Sequence, residues 1–84
     1  MNNIEIVEYP KINGLYKHYK GGEYVVFSMA THTETEEKMV LYKSILFGSI
    51  YARPLSVWNE KVKVDGEMIE RFQYQDLSYE NVTL

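Results

Sequence analysis

The stretch YKHYKGGEYVVFSMATHTETEEKMVLYKSILFG, residues 16–48, decides the fold because strand-like runs alternate in it with turn residues. Its longest run, residues 23–31, is predicted to be one strand, since side chains alternate between the two faces of a sheet. Tyr24, Val26, Ser28, Ala30 and His32 would then share one face, and Val25, Phe27, Met29 and Thr31 the other. Both faces are largely apolar, so we expect this strand to lie centrally in the sheet.

The residues on both sides of this strand are predicted to form further antiparallel strands, so that the segment is a β-meander. Residues 14–20 alternate with a period of two, and Gly21-Gly22 provides the positive φ angles of a tight hairpin turn. The polar run THTETEEK, residues 31–38, is predicted to be a wide hairpin loop, although Thr33 or Thr35 would also suit a helix N-cap. A third strand is expected over about residues 38–45.

The second half of the chain predicts shorter elements. The run IYARP, residues 50–54, is a strand ended by Pro54, which cannot donate to a ladder. LSVWNE, residues 55–60, is predicted to be a short turn or a single 3₁₀ turn. In KVKVDGEMIERF, residues 61–72, Asp65-Gly66 is the signal of a type I′ hairpin turn. Beyond Phe72 the alternating pattern is lost.

These elements predict an all-β fold, a small SH3-like β-barrel of about five to six antiparallel strands with short turns. Eight tyrosines, three phenylalanines and one tryptophan support it, since aromatic residues suit a pleated, half-buried surface. Closure would also remove the edges of so small a sheet. We expect an N-terminal arm or edge strand over residues 1–13, the barrel over 14–74 and a C-terminal tail over 75–84.

Composition limits the function. The absence of cysteine excludes disulfides and thiolate metal sites and fits a reducing, cytoplasmic location. A net charge of −3 argues against binding to duplex nucleic acid, which needs a basic surface. No apolar run has the length of a membrane span, so we expect no membrane association. A core of this size is expected to leave about 3–5 kcal/mol of stability, which a homo-oligomer would increase.

Three motifs resemble the family catalogued as Domain of Unknown Function 1653, from Gly14 to Phe72. The matching residues are Gly14, Tyr16, His18, Tyr19, Lys20, Gly21 and Tyr24, then Ala30, His32, Glu34, Thr35, Val40 and Tyr42, and finally Arg53, Pro54, Trp58, Arg71 and Phe72. The resemblance implies an SH3-like barrel, often a free-standing bacterial or phage protein, with no established activity. This chain departs from the family in having Tyr51-Ala52 before Arg53-Pro54 and a short connection in SILFGSIYARP, residues 44–54, where the family tends to have a longer glycine-containing loop.

His32 and Glu34 stand where a hairpin loop needs only turn residues. In one interpretation they read a polar edge of a ligand, while Arg53 fixes its phosphate or carboxylate. In the other, His32 closes the hydrogen-bond network of a threonine-rich turn, and Glu34 forms a structural ion pair with Arg53.

Four aromatic side chains also have two interpretations: they form a recess that binds a base or a cation, or they only pack in the core. These are Tyr19, Tyr42, Tyr51 and Trp58.

Catalysis is the least favoured hypothesis. The serines lie in no nucleophile-elbow context, and the histidines lack a matched acid and base. His18, His32 and Glu34 would hold a metal only if neighbouring strands brought them together, so we predict no cofactor and no metal site.

We therefore predict a non-enzymatic module that binds a small anionic ligand, such as a nucleotide, or a peptide segment. The predicted ligand-binding residues are His32, Glu34, Thr35, Tyr42, Arg53 and Trp58. The alternative is a structural or adaptor protein whose motif residues only stabilise a loop and whose partner is another protein.

Overall fold

A computed structural model of the chain describes residues 7–78, which form strands and one helical turn. The elements are β1 (Gly14–His18), β2 (Glu23–Thr31), β3 (Lys38–Ser44), β4 (Ile50–Pro54), α1 (Leu55–Trp58), β5 (Lys61–Val64), β6 (Glu67–Glu70) and β7 (Phe72–Ser78). The all-β prediction is confirmed. The ends of the predicted arm and tail, residues 1–6 and 79–84, lie outside the described residues.

Five strands form one antiparallel sheet in the order β4-β3-β2-β1-β7, and β5 pairs with β6 in a separate ribbon. The central position predicted for β2 is confirmed. Over residues 7–78 the sheet stays open between β4 and β7, so these residues do not form a closed barrel. In the hairpin of the ribbon Asp65 and Gly66 have φ angles of 51° and 84°, as a type I′ turn requires.

The alternating pattern is lost beyond Phe72, yet the structure has a strand there, β7, which continues the sheet to Ser78. Its ladder is formed with β1, where Tyr16 pairs with Tyr74 and His18 pairs with Phe72. The sequence after Phe72 shows no strong apolar alternation, and it is this non-local pairing that makes it a strand.

A register shift in β2 changes which residues share a face. Val26 pairs with Tyr42, but after the irregularity between Val26 and Ser28 it is Met29 that pairs with Val40. Cross-strand partners lie on the same face, so Met29 follows Val26 on the core side. The predicted face of Val26, Ser28, Ala30 and His32 is therefore wrong beyond the shift, because one extra residue reverses the alternation.

The core lies on one face of the sheet, where α1 covers the strands. Its buried residues are Tyr16, Val26, Val40, Tyr42, Leu55, Trp58 and Phe72. Residues 55–60, predicted as a turn, contain the single turn of α1, which begins after Pro54 and buries Leu55 and Trp58. The Trp58 and Phe72 rings are stacked with centroids 3.8 Å apart and an interplanar angle of 8°. This stack joins the helical turn to β7 and forms the centre of the core.

Candidate functional site

A recess of about 260 Å³ opens at one end of the core face. We name it the basic recess, and its lining residues are His18, Tyr24, Tyr42, Tyr51, Arg53 and Phe72. Strand pairing brings them together: Tyr42 lies opposite Tyr51, and Val40 opposite Arg53. Each of the five strands of the large sheet contributes at least one residue, so the recess exists only when the whole sheet is formed.

Arg53 is held in the basic recess by two contacts. Its Nε donates a hydrogen bond to the Tyr42 hydroxyl at 3.1 Å. Its guanidinium carbon lies 5.3 Å from the centroid of the Phe72 ring, a cation–π distance. Within residues 7–78 these contacts use Nε and one face of the guanidinium and leave its two terminal nitrogens for an oxoanion, which arginine binds in a bidentate manner.

His18 is the histidine of this recess. Its Nδ1 accepts a hydrogen bond from the Lys20 backbone N–H at 3.1 Å. The neutral ring therefore carries its proton on Nε2, which leaves Nε2–H as a donor. The ring packs edge-on against Phe72, with 4.9 Å between centroids, and is tilted against Tyr19 at 4.7 Å.

Positive charge surrounds His18. The pKa of His18 is lowered from its ordinary value, first by burial and then by the charges of Arg53, Arg71 and Lys20. Three cations thus act on one imidazole in a protein whose net charge is −3. Of the three, Arg71 is ion-paired with Glu60 at 2.9 Å and Arg53 lines the recess, so the Arg53 guanidinium is the charge that a bound anion would meet.

The tyrosines supply flat walls. The Tyr24 ring meets the Tyr42 ring edge-on, with 5.5 Å between centroids and an angle of 80°. Tyr42 and Tyr51 are tilted by only 31° at the same separation. Tyr51 is 43% exposed, so its ring borders the opening of the recess. Such walls favour a ligand with a planar group.

The predicted site residues separate into three places. Tyr42 and Arg53 lie together in the basic recess and are hydrogen-bonded to each other. Trp58 does not line this recess, because its ring is buried in the core against Phe72. His32, Glu34 and Thr35 lie exposed in the loop between β2 and β3 and do not line it either. A ligand-binding role for these six residues stays a prediction.

The loop residues bond mainly to one another. His32 Nδ1 accepts hydrogen bonds from the backbone N–H groups of Glu34 (3.2 Å) and Thr35 (3.3 Å). The Thr35 hydroxyl accepts one from the backbone N–H of Glu37 at 3.3 Å. These are the hydrogen bonds of the loop-closing interpretation. The ion pair considered between Glu34 and Arg53 is not formed, and the ion pairs within residues 7–78 are Lys61–Glu70 and Arg71–Glu60.

Sequence reasoning did not include four lining residues in its site: His18, Tyr24, Tyr51 and Phe72. A signal existed for each of them. His18 and Tyr24 belong to the first family-like motif, Phe72 follows the arginine of the last motif, and Tyr51 was among the aromatic side chains considered for a recess. Nothing in the sequence showed that His18 and Phe72 pair, because β1 and β7 are separated by most of the chain.

Residues 7–78 contain no group of three or more histidines and carboxylates close enough to hold a metal ion. The three residues considered for such a site lie apart, with His18 at the end of β1 and the other two in the β2–β3 loop. No helix in the described part of the chain is long and apolar enough to span a membrane.

Comparisons with known proteins agree with this architecture. Residues 14–74 match the family model described as "Protein of unknown function (DUF1653)". A crystal structure of a protein of that family from Bordetella bronchiseptica is similar, with 34% sequence identity and a TM-score of 0.67. The similarity covers 74% of this chain and 83% of the other. No curated protein matches the chain. The chain therefore belongs to the DUF1653 family, as its three motifs predict.

Proposed function

We propose that this protein is a non-enzymatic binding module whose basic recess takes a small anionic ligand that carries a planar group. The observation that supports this most directly is the position of Arg53. Its guanidinium is fixed by the Tyr42 hydroxyl and the Phe72 ring and lies beside His18 in a concave, aromatic-walled site. A held arginine loses less side-chain entropy on binding than a free one, so it suits recognition of a phosphate or carboxylate.

Size and shape narrow the ligand class. A recess of about 260 Å³ is smaller than a typical pocket for a drug-sized molecule, about 300–1,000 Å³. It suits one ring with one anionic group, such as part of a nucleotide or an aromatic carboxylate. A peptide that ends in an aromatic residue offers the same pair of groups, with its terminal carboxylate on Arg53.

An SH3-like arrangement, a cytoplasmic location and a bacterial origin belong to the same proposal. The meander of β1 to β4 with β7 returning to β1 supports an SH3-like arrangement. The lack of cysteine supports a cytoplasmic location, and the relative from Bordetella bronchiseptica supports a bacterial setting.

Matched ligand pairs test the proposal. We expect adenosine 5′-monophosphate to bind more tightly than adenosine, and benzoate more tightly than benzamide, in calorimetric titrations at low salt. Arg53→Gln should remove the preference for the anion in each pair. Lys63→Gln is the control, since it removes one positive charge from the exposed side of β5. If neither anion binds better than its neutral partner, or if both variants behave alike, the proposal is wrong.

A structural or adaptor role is the second candidate. The connection between β3 and β4 exposes Leu46 (80%) and Phe47 (78%), and Ile50 at the start of β4 is 64% exposed. β4 is also an edge strand of the sheet in the described residues. Edge strands and apolar loops are common sites of protein association. Reduced stability of Arg53→Gln and His32→Ala, with no selective loss of anion binding, would favour this role.

A further inference from the structure

A second recess, of about 250 Å³, lies at the other end of the core face. Five aromatic rings line it, together with Glu8 and Glu70, and we name it the acidic recess. The five rings are those of Tyr9, Tyr16, Trp58, Phe72 and Tyr74. Its charge is opposite to that of the basic recess, with which it shares Phe72 as a wall.

The rings that line the acidic recess are inclined to one another. The Tyr16 and Trp58 rings are nearly perpendicular, with 5.2 Å between centroids and an angle of 77°. Tyr16 and Tyr74 are 5.4 Å apart at 53°. Rings at several inclinations around one volume are the arrangement in which aromatic cages enclose an organic ammonium group.

The N-terminal arm is fastened where it forms a wall of this recess. The side-chain amide Nδ2 of Asn59 donates to the backbone carbonyl oxygen of Glu8 at 2.8 Å. The backbone N–H of Lys11 donates to the Tyr16 hydroxyl, also at 2.8 Å. These two hydrogen bonds lie on either side of Tyr9, so they hold the backbone of the arm where Glu8 and Tyr9 line the recess.

The charges that face the rings favour a cation. Glu8 forms no ion pair with any residue between 7 and 78, and Glu70 has one exposed contact, at 3.9 Å, with Lys61. Such a contact is weak in water. One positive group is already present, since Lys11 Nζ lies 4.8 Å from the centroid of the Tyr74 ring. The Lys11 ammonium group thus lies over one ring of this recess and would compete with the ammonium group of a ligand.

We propose that the acidic recess binds an organic ammonium group, either of a free small molecule or of a methylated lysine. Aromatic rings would contact the methyl groups, and Glu8 and Glu70 would balance the charge. This site goes beyond the proposed function and does not depend on it, because none of the charged residues of the basic recess line it.

The test compares choline with 3,3-dimethylbutan-1-ol, a neutral molecule of the same shape, on the full chain. Trp58 is the single tryptophan, so its indole N–H gives one assignable signal at the site. We expect choline to shift this signal and to bind at least about fivefold more tightly than the alcohol. Equal affinities, or no response at Trp58, would overturn the proposal.

Variants of the charged residues around the acidic recess test whether the choline ammonium group binds there. Glu8→Gln and Glu70→Gln should each weaken choline binding about two- to threefold, and Lys11→Gln should tighten it by removing the competing ammonium. Glu67→Gln, at the exposed start of β6, is the charge-matched control and should have no effect. If Glu67→Gln weakens binding as much as the other two glutamate variants, general attraction explains it and the site is wrong. A trimethyl-lysine peptide that binds more tightly than choline would support the proposal and identify the source as a protein.

Discussion

The two histidines of this protein use the same local hydrogen bond in opposite surroundings. Each accepts the backbone N–H of the residue two positions later on Nδ1, His18 from Lys20 and His32 from Glu34. His32 is exposed in the β2–β3 loop, whereas His18 packs against Phe72 among three cations. The local hydrogen bond of a histidine in a turn can therefore be predicted from the sequence. Its burial and pKa depend on the strands that pack against it.

The largest expected effect comes from removing the ring of Phe72, against which His18 packs and His32 does not. Phe72→Ala should lower the free energy of unfolding by about 3–5 kcal/mol, because it leaves a cavity beside Trp58. A domain of this size has little more stability than that, so the variant should be largely unfolded at 25 °C. Urea denaturation followed by circular dichroism measures this.

Phe72→Leu is the control for volume and should remain folded, with a smaller loss. A fully folded Phe72→Ala variant would show that the Trp58–Phe72 stack is not the centre of the core.

The next effect isolates the positioning of Arg53. Tyr42→Phe keeps the buried ring but removes the hydroxyl that accepts from Arg53 Nε. We expect a loss of about 1.5 kcal/mol in unfolding free energy, since this hydrogen bond involves a charged donor. Affinity for the anions of the matched pairs should fall while affinity for their neutral partners stays. An unchanged preference for the anion would show that Arg53 does not need Tyr42.

The loop histidine should matter less, and for stability alone. His32→Ala removes the acceptor of two backbone N–H groups and should cost about 1 kcal/mol, as loss of a capping side chain does. His32→Asn retains an acceptor and should recover most of this loss. Calorimetric titration of the anions should give wild-type affinity for both variants. Weaker anion binding at wild-type stability would instead support the predicted ligand role of His32, Glu34 and Thr35.

The smallest effect is the pH dependence contributed by His18. Its folded-state pKa lies below the ordinary value of 6.5, so the unfolded chain binds more protons between the two values. Stability should therefore rise with pH in the window just below 6.5 and stop changing above it. His18→Asn should lose this contribution, and His32 is present in both proteins and cancels in their difference.

A titration of the His18 ring signals by NMR measures the shift directly. Inorganic sulfate, added as an anion whose charge is constant in this range, should raise the pKa of His18. A pKa at or above 6.5 without sulfate would contradict the cationic surroundings described for the basic recess.

Much of the architecture was predictable because its signals are local. The alternation in residues 14–31 and the Gly21-Gly22 and Asp65-Gly66 turns predicted the strands and hairpins, since side-chain periodicity and positive φ angles act over a few residues. The loop-closing bonds of His32 are local too, and they were among the two interpretations of that motif. Tyr42 and Arg53 were predicted to belong to one site, and the β3–β4 register brings them together.

By itself, then, the sequence determined an all-β chain of the DUF1653 family, its turns and most of its strands. Only the tertiary structure decided that His18, and not His32, lies beside Arg53. One reason is the register shift between Val26 and Ser28, which reverses the face of β2 before it reaches the loop. The other is the pairing of β7 with β1, which puts Phe72 opposite His18. Both depend on hydrogen bonds between separate strands, and the residue pattern within one strand does not predict such bonds.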